Sequence, residues 1–249
     1  MKSYINNIIP RLNKFSKTLE KKELFVDKSW VLIDDKNNLQ KYIFRRNGEL
    51  IMSLNGSVKI GKWEYIIEAN SLLIDRIEDK ILLNHSFIDS AVMILKKDGT
   101  ENNLIVLAND KIIVDLDVPK YLKELYRSKN NVSIVILKSG IELELLNSDV
   151  VVIGCKVTID GNNIENNIFE NENSIFKYIV KNSYVEKIIE KKTYNTKAGE
   201  LLIECERDYY PQKGDLAFLN GIPANGKFKL TFLQYIYVNN GIIYKTSLF

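Results

Sequence analysis

The chain has 249 residues, of which 45% are hydrophobic and 27% charged, enough apolar material for a real core and a length that predicts about two domains. The formal net charge is only +3, too small a bias to argue by itself for nucleic acid or an anionic membrane as the partner. One histidine and two cysteines, with no CxxC or HxxxH spacing, exclude a metal site built on those ligands, and no cofactor is expected.

Residues 3–22 carry Ile5, Ile8, Ile9, Leu12, Phe15 and Leu19 at helical spacing, with Pro10 inside the pattern and Lys2, Arg11, Lys14 and Lys17 opposite. This predicts an N-terminal amphipathic helix in a segment 1–28, packed on the domain behind it or, as a basic face allows, on a membrane surface. Charges interrupt residues 1–19, so no secretory leader is expected; no apolar run reaches the roughly 18 residues of a bilayer span. The expected location is therefore cytoplasmic. Cys155 and Cys205 then read as small buried side chains in a reducing compartment.

From residue 30 the pattern changes to period two. Strands are expected at 30–33, 41–45, 50–54, 61–67, 71–75, 80–83, 91–96 and 104–108. Asn47-Gly48, Asn55-Gly56 and Asp98-Gly99 are hairpin dipeptides, because both residues accept a positive φ. Eight short strands in sequence predict a small up-and-down barrel over residues 29–116. Within it stand Trp30, then Tyr42-Ile43-Phe44, then Asn-Gly-Glu-Leu at 47–50, then Gly61-Lys62-Trp63-Glu64-Tyr65. On these residues the stretch 30–107 resembles small lipocalin-like bacterial domains. The resemblance implies a barrel that holds an apolar ligand or packs its own side chains.

Asp117-Val118-Pro119 predicts a helix start, with Asp117 as N-cap and Pro119 in the first turn. A linking helix and polar linker occupy 117–131, with the domain boundary at 128–131. The remainder, 132–249, states one pattern twice, in repeats of about 132–190 and 191–249. Gly154 and Asp160-Gly161 in the first answer Gly214 and Asn220-Gly221 in the second; Tyr178 to Val185 answers Ile236 to Ile243. Strands are expected at 133–137, 142–146, 150–153, 156–159, 175–180 and 184–190, then at 229–237 and 242–246. The Asn- and Glu-rich stretch 162–174, and its shorter counterpart 222–225, are expected to be loops. The fold class is thus mainly β: a helix, a meander or barrel, a linking helix and a tandemly duplicated antiparallel module.

Catalytic signals are few. His85 needs a spatial partner, and Asp75 or Asp89 are the candidates within reach of its region. Asp75, Glu78 and Asp79, and Asp115 with Asp117, form acidic groups that read as solvated turns, matching no calcium loop. No GxSxG, GxGxxG or phosphate-binding loop is present. Arg45-Arg46 and Lys96-Lys97 are basic pairs, and with a near-balanced net charge they make only a weak case for nucleic acid. Trp30, Tyr42, Phe44, Trp63 and Tyr65 read as core or as pocket lining, and Tyr209-Tyr210-Pro211 as a partner contact or a cover for a barrel end. The leading expectation is a non-enzymatic protein-interaction or assembly module, through a protein partner or self-association, with the last strand and Leu248-Phe249 tied into a sheet or offered as an edge. The alternatives are an apolar-ligand binder with a cavity lined by Trp63 and Tyr65, and an enzyme centred on His85 or carboxylates.

Overall fold

A computed structural model describes residues 2–33, 40–100 and 103–248, apart from the side chains of Lys2 and Leu248. The chain divides into two compact units, Met1–Tyr126 and Arg127–Phe249.

In the first unit, helix α1 (Lys2–Leu12) is shorter than its apolar spacing suggests. Ile5, Ile8, Ile9 and Leu12 are buried against Phe87, Val92, Ile94 and Val106, so its apolar face is a packing face. After Leu12 a single 3-10 turn ends the helix. Leu19 leaves the helical stripe and enters a different cluster with Phe25, Phe44 and Trp63.

Strands β1 (Trp30–Leu32), β2 (Gln40–Phe44), β3 (Glu49–Leu54), β4 (Ser57–Ile66), β5 (Ser71–Asp75), β6 (Lys80–Ile88), β7 (Val92–Lys97) and β8 (Leu104–Asn109) form a closed antiparallel barrel. Closure is the pairing of β1 with β8, Trp30 opposite Asn109. Leu54 pairs with Ser57 around Asn55-Gly56, whose φ values of 50° and 81° give the two-residue turn that matches strand twist. Alternation sends Trp30, Phe44, Leu50, Trp63, Leu72, Leu83 and Met93 inward.

Helix α2 (Val118–Lys129) starts as its sequence demands: Asp117 Oδ1 accepts the Lys120 N–H at 3.0 Å. Val118 and Leu122 join the cluster around α1. The division between the units falls after Tyr126, inside this helix and before the polar stretch 128–131.

The second unit is one antiparallel sheet system. Its strands are β9 (Val132–Ile136), β10 (Glu142–Leu146), β11 (Lys156–Ile159), β12 (Asn162–Asn163), β13 (Asn166–Glu170), β14 (Phe176–Lys181) and β15 (Tyr184–Thr196). There follow β16 (Gly199–Glu206), β17 (Leu216–Leu219), β18 (Ile222–Pro223), β19 (Gly226–Lys229), β20 (Gln234–Asn239) and β21 (Ile242–Leu248). The main path runs β19-β20-β21-β17-β16-β15-β11-β10-β9, with β12, β13, β14 and β18 attached to it.

The same bonds recur in its two halves. Gly154 N–H donates to Val185 O at 2.8 Å, and Gly214 N–H to Ile243 O at 2.7 Å. Val157 N–H donates to Ser183 O, and Ala217 N–H to Gly241 O. Ser183 N–H donates to Ile164 O, and Gly241 N–H to Ala224 O. The turns agree as well: Asn182 and Ser183 have φ of 49° and 66°, Asn240 and Gly241 of 48° and 77°. Each half closes its own core, around Leu143, Leu145, Phe169 and Val180 in the first and Leu201, Ile203, Phe228 and Val238 in the second.

Several expected boundaries move. Residues 150–153 are not a strand: Cys155 N–H turns back to Val152 O, and only Val151 of the four is buried. The Asn-rich stretch 162–174 is not a loop but contains β12 and β13, because β13 lies in register against β14 and buries Phe169. Residues 222–223 of its counterpart are likewise β18. The expected strand 229–237 is broken at 230–233, with β19 before the break and β20 after it. The last strand is not the sheet's edge: β21 lies between β20 and β17, and the edges of the main path are β19 and β9. Phe249 and the Leu248 side chain lie outside the described residues.

Candidate binding face

Alternation on β19, β20 and β21 places Phe228, Ile236 and Val238 inward. Cross-strand pairing then sets Lys227 beside Tyr237, Lys229 beside Tyr235 and Tyr237 beside Lys245 on the opposite face. The ammonium of Lys227 sits 4.4 Å from the Tyr235 ring centre and 5.3 Å from that of Tyr237. Lys229 lies 5.2 Å from Phe232, and Lys245 lies 5.2 Å from Tyr237. Phe232 is 83% exposed at the tip of the β19–β20 connection. These contacts hold each lysine in place without neutralising its charge. The Tyr237 phenol is accordingly pushed below its ordinary pKa, first by a hydrogen bond from Lys227 and then by one from Ser247, with the Lys227 and Lys245 charges adding to the shift.

Register assigns the equivalent positions in the first half. Ile168 stands for Lys227, Glu170 for Lys229, Lys177 for Tyr235, and Ile179 for Tyr237. There the charges are paired within the unit. Lys177 binds Glu204 at 2.7 Å, and Glu170 binds both Lys138 and Lys191 at 3.1 Å. Whole-chain charge hides this contrast. The signal that finds it is local: from Leu216 to the last residue the sequence has three lysines and no acidic residue.

The two halves also differ beside this face. In the first, the β9–β10 hairpin tip closes onto β13: Lys138 N–H donates to Glu170 O at 2.9 Å, and Leu137 bridges Asn171. In the second, a groove of about 540 Å³ separates the β15–β16 tip (Thr196, Lys197, Ala198) from Lys227, Phe228, Lys229 and Tyr235. Two sequence differences account for it. The first hairpin has three residues, 138–140, between Leu137 and Ile141, while the second has two, 197 and 198, between Thr196 and Gly199. Where Lys138 meets Glu170 in the first half, Lys197 and Lys229 stand on either side of the groove in the second.

The other candidates lie elsewhere. His85 sits at a β6 bulge with Nε2 3.2 Å from Ser16 Oγ, and that oxygen also accepts the Ile88 N–H at 3.0 Å. Burial lowers the His85 pKa, opposed by the Lys17 backbone. Neither suggested carboxylate partners it: Asp89 accepts from Tyr121 at 2.7 Å, and Asp75 from the Ile77 N–H at 3.0 Å, with Lys80 beside it. Glu78 pairs with Lys59, Asp79 with Arg76, and Asp115 with Lys120. Among the described residues, no group of three His, Cys, Asp or Glu side chains is placed to hold a metal. Cys155 and Cys205 are both buried and unpaired.

Trp30, Tyr42, Phe44 and Trp63 come together in the barrel interior, with Tyr65 partly buried against them. Phe25 enters from the segment before β1, and the Phe25, Phe44 and Trp63 rings meet edge-to-face at 5.4–5.7 Å. Trp63 Nε1–H donates to Arg45 O at 2.9 Å. Tyr209 and Tyr210 are exposed, and the Tyr209 carbonyl accepts from Lys192 at 2.9 Å. No helix among the described residues is long and apolar enough to cross a membrane. Comparison of the chain with known protein families, with curated proteins and with solved structures finds no match.

Proposed function

We propose that this chain is a non-enzymatic protein-interaction or assembly module whose contact surface is the lysine–aromatic face of β19, β20 and β21. One observation carries the reading: three lysines share a face with half-buried Tyr235 and Tyr237 and exposed Phe232, and no carboxylate of that segment answers them. The equivalent face of the first half has its charges paired internally, which marks the second as the one whose counter-charges come from outside. The recurrence of the same bonds supports a tandem duplication in which one copy kept a structural role and the other took up contact. The first unit serves as a scaffold in this reading. Its eight-stranded closure is compatible with lipocalin-like kinship, while the aromatic filling of its interior favours self-packing over an apolar ligand. Two buried, unpaired cysteines fit a reducing, cytoplasmic setting.

The test is the reactivity of Lys227, Lys229 and Lys245 toward an amine-specific reagent. Purified protein is compared with protein in extract of its native cells. Protection of these three lysines in extract, with cross-links from them to another protein, is expected. Equal labelling in both settings removes the proposal.

A further inference from the structure

β19 is an edge strand, and its free edge can be assigned residue by residue. Leu230 N–H donates to Gln234 O at 2.9 Å, which fixes that pair as hydrogen-bonded. Antiparallel ladders alternate, so Phe228 opposite Ile236 is the next bonded pair, while Lys229 opposite Tyr235 and Lys227 opposite Tyr237 are non-bonded. The backbone N–H and C=O groups of Lys227 and Lys229 therefore point away from β20, toward the groove beside the β15–β16 tip. Among the described residues no strand pairs with that edge. In the first half the equivalent carbonyl, that of Glu170, is already taken by Lys138 N–H.

We infer that this groove receives an extended, acidic segment of a partner protein as an added strand on β19. The inference rests on the reading of the adjoining face as a protein-contact surface and deepens it. Backbone pairing supplies the affinity of such an addition, and alternate side chains supply the specificity. Lys227 and Lys229 are two residues apart on one strand, roughly 7 Å at the usual rise, the spacing of alternate side chains in an extended peptide. Carboxylates at alternate positions of the incoming strand meet both ammoniums, and Lys197 closes the far wall. Leu230, half-buried beside Lys229, adds apolar lining at one end of the groove. A single-stranded nucleic acid fits less well. It would stack its bases on aromatic faces, and here ammoniums already lie over the rings of Tyr235, Tyr237 and Phe232.

The experiment uses the full chain and a short capped peptide of alternating glutamate and valine. Controls are the same peptide with lysine for glutamate, a version N-methylated on its backbone, and oligothymidylate. The glutamate peptide is expected to bind more tightly at low salt and to slow hydrogen exchange at the Lys227 and Lys229 amides. The K227E/K229E variant, altered at two exposed positions, is expected to bind it at least about tenfold more weakly and to gain binding of the lysine peptide. If the N-methylated peptide binds as well, or the two amides stay unprotected, strand addition is refuted while the charged contact face stands. Oligothymidylate binding that the same variant abolishes overturns the acidic-protein partner. Salt-sensitive self-association lost in K227E/K229E would identify a second copy of this chain as the occupant instead. Failure of every anionic probe overturns both the strand addition and the contact face.

Discussion

The two halves of the second unit have the same ladder and turns but fill them differently. In the first, Glu144 is 1% exposed and fully bonded: Thr158 Oγ1 donates at 2.8 Å, Gly161 N–H at 2.7 Å and Arg127 at 3.3 Å. In the second, the cross-strand pair at these positions is Leu202 and Phe218, and no charge is buried there. One half closes its edge with a hydrogen bond and an ion pair; the other leaves a groove lined by like charges. A backbone frame set by turn residues and inward apolar side chains thus tolerates opposite chemistry at the remaining positions. The differences between the halves, more than the shared frame, are where binding is sought.

The largest effect expected concerns the buried carboxylate. R127A leaves Glu144 without its cation and should destabilise the second unit by about 3–5 kcal/mol, whereas E144L/T158F, which installs the second half's pair, should recover most of that. Urea unfolding separates the units, since both tryptophans, Trp30 and Trp63, report on the first while circular dichroism sees both. A dichroism transition left unmoved in R127A would show that the second unit does not depend on this buried pair.

A smaller effect is expected at the turn. Ser183 Oγ accepts the Ile164 N–H at 2.7 Å, while at the matching place Gly241 has no side chain and Ala224 N–H donates to Ala217 O at 3.0 Å. S183A should cost about 1–3 kcal/mol through the orphaned amide. A cost as small as that of a surface substitution would mean the halves satisfy this amide in the same way after all.

Next is the edge. Glu170 ionises below its ordinary value, first because Lys191 and then because Lys138 donates to it. Its contribution is present above the ordinary glutamate pKa and is lost as pH falls through the lowered one. E170K should remove about 1 kcal/mol or less at neutral pH, and the Lys138 amide should exchange faster. K229E should do the reverse in the second half, drawing Lys197 across the groove and slowing its amide. If neither amide changes, hairpin length alone sets the difference.

The smallest effect is spectroscopic. The Tyr237 phenol should titrate below a free tyrosine, and K227A should move it back up, read by ultraviolet difference absorbance. An unmoved titration would show that Lys227 is not held at this face in solution.

The barrel's eight strands, its Asn-Gly turns, the Asp117 cap and the recurring pattern of the second unit were all legible in the sequence. They depend on local φ preferences and on period-two burial, which a chain states residue by residue. The end of α1 was not legible, because Leu19 keeps helical spacing yet is drawn into the barrel interior. β12 and β13 were hidden by asparagine, whose turn preference is overridden once β11 and β14 offer ladders to them. The acid-free stretch after Asp215 was readable, but that its lysines share one face beside an open edge was not. Face and edge are set by cross-strand register and by which hairpin reaches which strand, and these exist only when distant segments pair. The sequence alone determined the barrel's strands, its turns and the apolar cores; tertiary pairing decided the added strands of the second unit, which edge stays open and which charges go unanswered.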